Sequence, residues 1–248
     1  MKDDTTRIRA LETNQLFDIK NTIASGYLSG FLYPYEALKG ISDFIMQLGE
    51  TLSTSKFDKK GKDVWIAKSA KVAPTACING PCIIDEGAEI RHCAFIRGSA
   101  IIGKNAVVGN STEIKNSILF DEAKAPHFNY VGDSILGYKA HMGAGSITSN
   151  VKSDSSYIEI HYGTQKHKTG LIKFGALLGD RAEIGCNTVM NPGSIIGRDA
   201  TVYPLSSVRG YVPNKSLCKT VGKPMIVPKR LEESSRKKYY GDKVSDKA

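Results

Sequence analysis

A six-residue beat runs through most of this chain and constrains its fold more than any other feature. Stepping by six from Ile66 gives Val72, Ile78, Ile84, Ile90, Ile96, Ile102, Val108, Ile114 and Phe120, all apolar. Four places after each come Ala70, Ala76, Cys82, Ala88, Ala94, Ala100, Ala106, Thr112, Ile118 and Lys124, most of them small. A helix repeats every ~3.6 residues and a strand every ~2, so neither alone alternates large and small over six. A triangular coil does. Each hexad supplies one short strand and one turn; the large aliphatic fills the prism and the small residue sits at the corner. Three hexads close a coil, so Ile66, Ile84 and Ile102 should stack. Repeats of this kind define the whole architecture. The expected fold is mainly β, a left-handed parallel β-helix of the hexapeptide-repeat type, in spite of the usual right-handed crossover preference.

The beat resumes twice. Leu136 and Met142 are followed by Ala140 and Ser146, and Ile172, Leu178, Ile184, Met190, Ile196, Val202 and Val208 keep time to Val212. The β-helix is therefore expected over 64–213, with insertions at about 124–135 and 149–171. The second alternates around Gly163-Thr164 like a hairpin. Residues 1–63 lack the hexad. Leu38, Ile41, Ile45, Leu48 and Leu52 recur at helical spacing behind Pro34, and an earlier helix is expected from about Leu11 to Ala24. This N-terminal helical segment would cover the open end of the prism and its unpaired strand edges. A C-terminal extension, 214–248, would follow, with a second cap after Pro213.

Composition narrows the function classes. No apolar run approaches the ~18 residues of a membrane span, and MKDDTTRIRALETNQ has no signal-peptide core. The five cysteines are odd in number and form no CxxC pair, which suits reduced thiols in a cytoplasm better than disulfides or zinc. The net charge of +9 favours polyanionic ligands. No helix-turn-helix, RNP or finger motif points to nucleic acid. Coenzyme A and sugar phosphates are polyanions too. Part of the charge lies in the tail from Lys229, read as a solvated terminus.

Loops on a rigid scaffold carry chemistry. His127, in the first interruption, can take a proton near neutrality. Arg97 and Lys115 are one coil apart and would form a cationic ledge for phosphate, although each alone reads as surface charge. Gly143-Ala144-Gly145-Ser146 lets a ligand approach the backbone, or makes a tight corner. No two histidines are five residues apart, as zinc-dependent β-helix carbonic anhydrases would have them, so no metal is expected.

Three stretches carry a resemblance. Gly109-Asn110-Ser111-Thr112-Glu113-Ile114-Lys115, His127-Phe128-Asn129-Tyr130-Val131-Gly132-Asp133 and Gly143-Ala144-Gly145-Ser146-Ile147-Thr148-Ser149-Asn150 occur in this order. They resemble the acetyltransferase domain of bifunctional N-acetylglucosamine-1-phosphate uridyltransferases, and still more the archaeal two-domain sugar-1-phosphate nucleotidylyltransferase/acetyltransferases. The resemblance implies a homotrimer with sites between prisms, acetyl-CoA as co-substrate, and His127 as the base that deprotonates a sugar amine. It implies that Arg97 and Lys115 hold a sugar phosphate, that Tyr130 and Asn150 orient the sugar, and that the backbone at Ala144 donates to the thioester carbonyl. Ser156 and Glu159 stand where the archaeal proteins have phosphate-binding lysines, and Lys166 or Lys168 would substitute from the hairpin. His141 replaces a usual asparagine, and Asp180 stands where the bacterial proteins have a serine near the coenzyme. Residues 1–63 are too few for a nucleotidyltransferase and hold no glycine-rich phosphate loop, so no uridylyl transfer and no magnesium are expected. The leading expectation is N-acetylation of an amino-sugar 1-phosphate. The alternatives are a catalytically silent trimer that binds sugar nucleotides or a separate nucleotidyltransferase, and an O-acetyltransferase on another acceptor.

Overall fold

The computed structural model describes residues 7–219. From Val64 to Cys218 the chain winds as a left-handed, three-sided parallel β-helix built from strands of two to four residues. The first face begins at Val64–Ala67 and ends at Tyr211–Val212, with the strand Phe57–Lys59 antiparallel to its outer member. The second face runs from Lys71–Val72 to Leu217–Cys218, and the third from Cys77–Ile78 to Ser207–Val208. Ile66, Ile84 and Ile102 stand in register on adjacent strands, as the hexad requires. Inside the prism Ile84, Ile90, Ile96, Ile102, Val108 and Ile114 are buried, with Ala88, Ala94 and Ala106 packed beside them. The glycine that often follows the ladder residue also has a steric cause. A Cβ on Gly109 would lie 1.6 Å from the Pro126 carbonyl oxygen of the next coil.

The expected interruption at 124–135 is not an excursion. Lys124–His127 pairs with Val107–Asn110, and Tyr130–Gly132 with Glu113–Lys115, all in parallel register. Two things hide these strands in the sequence. The corner after Lys115 turns on Asn116 alone (φ 45°), where the coil before it uses Gly98 and Ser99. The frame therefore slips by one, and Leu119 rather than Phe120 enters the prism. The next ladder position is Ala125, small where the pattern expects large.

The interruption at 149–171 does leave the coil. It carries the antiparallel strands Glu159–Tyr162 and Gln165–Lys168, joined through Gly163 (φ 58°). Ile172, counted in the resumed beat, is 45% exposed on this excursion; the ladder resumes at Leu178.

The N-terminal segment pairs one strand edge at the start of the prism through Phe57–Lys59, and most of the rest lies along the first face. Ile83, Ile101, Ile118, Ile135, Leu177 and Ile195 project outward from that face, yet all are fully buried. They pack in one cluster with Leu11, Leu16, Phe17, Leu38, Ile41 and Ile45 from the N-terminal segment and with Ile158, Ile160 and Phe174 from the excursion. Burying each aliphatic contributes about 1.5–3 kcal/mol, so this second core rivals the first. A helix at Ile41–Gly49 follows a 3-10 stretch, Pro34–Gly40, with proline at its start. The Leu11–Ala24 helix is broken into short turns, because Asp180 captures the chain. Its carboxylate accepts the Asp18 N–H (2.7 Å), and its own N–H donates to the Leu16 carbonyl (3.1 Å). The coil continues past Pro213 through Leu217–Cys218, whereas the basic tail from Lys229 lies outside the described residues.

Candidate active site

With the first face covered, the second and third faces and the edge between them remain open. His127 sits on that edge at the end of its strand, and its imidazole meets no partner among the described residues. Its backbone is fixed on both sides. Its N–H donates to Asn129 Oδ1 (3.0 Å), and its carbonyl accepts from the Gly145 N–H (3.0 Å). Asn129, 3% exposed, donates through Nδ2 to the Gly143 carbonyl (2.9 Å), the Ser146 carbonyl (3.0 Å) and Ser146 Oγ (3.2 Å). One buried amide thus ties His127 to the Gly143–Ser146 corner of the next coil. Ala144, at that corner, gives its carbonyl to the Asn187 N–H (2.8 Å), while its own N–H has no acceptor among the described residues. The edge therefore presents an accessible imidazole beside an unused backbone donor.

Across the third face, at its edge with the first, a second cluster forms around Asp133. This carboxylate is 4% exposed. It accepts from Asn116 Nδ2 (2.7 Å), from Asn150 Nδ2, and from Lys115 Nζ (3.3 Å). Tyr130 lies between the two edges, opposite Glu113 on one neighbouring strand and Ile147 on the other. Its hydroxyl reaches over Gly132, 2.5 Å from where a Cβ would be, so the missing side chain makes room for the ring. Burial raises the Tyr130 hydroxyl above its usual range; the Asp133 and Glu113 charges add to this, and Arg97 and the Asn150 amide oppose it.

The structure therefore brings Arg97, Lys115, Tyr130 and Asn150 onto one face and its edge, with His127 and Ala144 on the edge opposite. The cationic ledge expected from Arg97 and Lys115 is charge-compensated. Arg97 donates to Glu113 Oε1 (2.8 Å), which raises the guanidinium pKa further, and Lys115 is held by Asp133.

Two expected site residues lie elsewhere. Lys166 is on the hairpin over the first face, 61% exposed in its side chain and 3.5 Å from Glu159. The neighbouring His167 anchors that hairpin, its Nε2 2.7 Å from the Tyr35 hydroxyl. Asp180 is 1% exposed at the edge between the first and second faces. Its oxygens accept from the Asp18 and Tyr138 N–H groups, Arg198 lies 3.5 Å away, and burial raises its pKa. At this position Asp180 binds the chain's own N-terminal segment.

Sequence reasoning passed over Asn129, Asp133, Asn116 and Glu113 as site residues. Asn129 and Asp133 lie inside the stretch that carries the resemblance, and a buried position for either polar side chain would have marked it. Asn116 and Asp133 meet because the coil is shortened at this corner, which the hexad count did not register.

Comparison with known proteins finds relatives by sequence. The family model described as the GMPPB C-terminal domain matches residues 78–164. A bifunctional sugar-1-phosphate nucleotidylyltransferase/acetyltransferase of Sulfurisphaera tokodaii is 33% identical over 92 residues, 37% of this chain and 23% of that protein. A bifunctional protein GlmU of Methanococcus aeolicus is 31% identical over 203 residues, 75% of this chain and 45% of that one. Among solved structures, a perosamine N-acetyltransferase of Caulobacter crescentus in complex with CoA and GDP-perosamine is 20% identical, covering 73% of this chain and 63% of that chain at a TM-score of 0.31. The chain spans less than half the length of these curated relatives. In sequence it is a relative of the bifunctional sugar-1-phosphate nucleotidylyltransferase/acetyltransferases, and its β-helix resembles their acetyltransferase domain.

Proposed function

We propose that this chain is an acetyl-CoA-dependent sugar acetyltransferase, and specifically an N-acetyltransferase acting on an amino-sugar 1-phosphate. The observation that carries this reading is the Asn129 clamp, which holds an exposed imidazole and an unused backbone N–H on one edge. The His127 imidazole takes a proton from the sugar amine as the amine attacks the thioester carbonyl carbon. The Ala144 N–H donates to the carbonyl oxygen as it becomes an oxyanion, which is where a fixed donor gains most. Collapse of the tetrahedral intermediate releases the coenzyme thiolate, which takes the proton that His127 holds and leaves as the thiol. Positioned proton transfer of this kind contributes about 10²–10⁴-fold. Tyr130 and Asn150 orient the sugar on the third face, and Arg97 and Lys115 exchange their carboxylate partners for its phosphate.

The site is shared between subunits of a homotrimer in this reading. The first face is already covered, so association uses the second and third faces; on the third, Phe95, Ile147 and Val189 share one register row with Glu113 and Tyr130 and none of the three is fully buried. A thiol-release assay with acetyl-CoA and a panel of amino-sugar 1-phosphates tests the activity, with His127→Ala alongside. Turnover that depends on His127 supports it; no turnover on any acceptor rejects it. One observation favours the second reading, a silent sugar-nucleotide-binding trimer: both cations of the ledge are already paired.

A further inference from the structure

The excursion at 149–171 does more than cover the first face. It encloses one recess of about 480 Å³ among its own residues and borders a second of about 370 Å³ against the body of the molecule, and Tyr157 and Gly170 line both. One is bounded by Lys168, the other by Lys39, Lys173 and Asn116. We propose that this double recess binds a nucleoside diphosphate group.

Charge is the first argument. Lys39, Lys168 and Lys173 are exposed, and none has a carboxylate within ion-pair distance among the described residues. The acids that border the recess are already used. Asp133 holds Lys115, and Glu159 faces Lys166. Lys39 and Lys173 share one recess and Lys168 stands at the adjoining one, and a polyanion spanning the two relieves the repulsion among these unpaired cations. Ammonium–phosphate hydrogen bonds are charge-assisted and strong, so a diphosphate suits the hollow better than a single carboxylate. This differs from the Arg97–Lys115 ledge, whose cations are compensated.

Surface chemistry is the second argument. Tyr157, at the junction, is 64% exposed, and Ile172 beside it is 45% exposed. A large aromatic ring left in water at the mouth of a cationic hollow offers a stacking platform for a planar base. Such stacking tolerates any base, because every base has a π-face. Each recess alone lies in the usual range for small-molecule sites. Anion, aromatic and size requirements together describe a nucleoside diphosphate. It would reach the protein either as the handle of a nucleotide-linked sugar or as the adenosine end of coenzyme A.

Calorimetric titration of the full chain with UDP, GDP, CoA and inorganic phosphate decides the matter, without reference to turnover. We expect binding of at least one nucleotide, with inorganic phosphate weaker by about tenfold or more. Tyr157→Ala weakens the nucleotide by about tenfold, within the range for loss of one base stack, and leaves phosphate unchanged. Lys173→Glu weakens both, and the wild-type affinity falls with added salt. UDP or GDP binding that responds to both substitutions assigns the recess to a nucleotide-linked sugar, and CoA binding alone that responds to them assigns it to the coenzyme. No binding at millimolar concentration, or binding indifferent to Tyr157→Ala and Lys173→Glu, overturns the proposal. Thermal melting checks that both variants fold. The titration reads no turnover, so a failure of the acetyltransferase reading leaves this result standing.

Discussion

Replacing Asn129 with alanine is the sharpest perturbation the structure suggests. The amide makes four hydrogen bonds from a nearly sealed position. Its loss leaves two backbone groups without partners, the His127 N–H and the Ser146 carbonyl. The Gly143 carbonyl is spared, because Ser146 still donates to it through N–H (3.1 Å) and Oγ (2.7 Å). An unsatisfied buried polar group costs about 1–3 kcal/mol. His127 is exposed, so its N–H recovers part of that in water, which gives about 2–4 kcal/mol in all. With a urea slope of about 1–3 kcal/mol/M, the midpoint should fall by about 1 M or more. Asn129→Asp should be worse still, because a carboxylate oxygen would face two carbonyls that now receive N–H bonds. Equilibrium urea unfolding measures both, and the same variants should lose thiol release under native conditions as the His127 edge loosens. A loss below about 0.5 kcal/mol, or an aspartate variant as stable as the wild type, would refute the clamp.

Other outcomes follow from the same contacts. Phe17→Ala removes a buried ring that packs 5.1 Å from Phe120, and should cost about 3–5 kcal/mol and expose the N-terminal segment to limited proteolysis before the coils. His167 has its pKa lowered from 6.5 by burial, so its neutral form is favoured in the fold. The stability that goes with this is present above pH 6.5 and is lost as pH falls towards the lowered value, and His167→Gln should flatten the urea midpoint between pH 7.5 and 5.5. Asp180 has a raised pKa, which works in the opposite direction: its penalty is largest at neutral pH and is relieved as pH falls through the raised value. Glu113→Gln frees Arg97 from a pair that solvent screens; stability should hardly change, and KM for a phosphate-bearing acceptor should fall. Gly132→Ala pushes on the Tyr130 hydroxyl and should raise KM for the sugar more than it alters stability.

The prism was legible because a coil demands the same size at the same place every time, and Ile66, Ile84 and Ile102 obey. The demand is weaker at a corner, where Asn116 alone can do the work of two residues. One such slip made 124–135 look like a loop when it is regular coil. The N-terminal helices were read from their apolar spacing, but spacing says which side is buried and not against what. The outward isoleucines at 83, 101, 118, 135 and 195 each stand one place before a ladder residue, and they held the answer. Of the site, the residues on the third face were recoverable because position in the coil fixes position in space. Asp180 and Lys166 were placed by resemblance alone; Asp180 and the hairpin that carries Lys166 are positioned by contacts between distant segments, Asp18 with Asp180 and Tyr35 with His167, which no local pattern reports.

The most direct test of acetyl transfer at the His127 edge is the kcat of His127→Ala for acetyl-CoA and the best amino-sugar 1-phosphate acceptor. The geometry predicts a fall of about 10²–10⁴-fold with the acceptor KM little changed, because the imidazole stands apart from the Lys115–Asp133–Asn150 cluster that would hold the sugar. A variant that turns over at the wild-type rate, or a wild-type protein that releases no thiol, would contradict it.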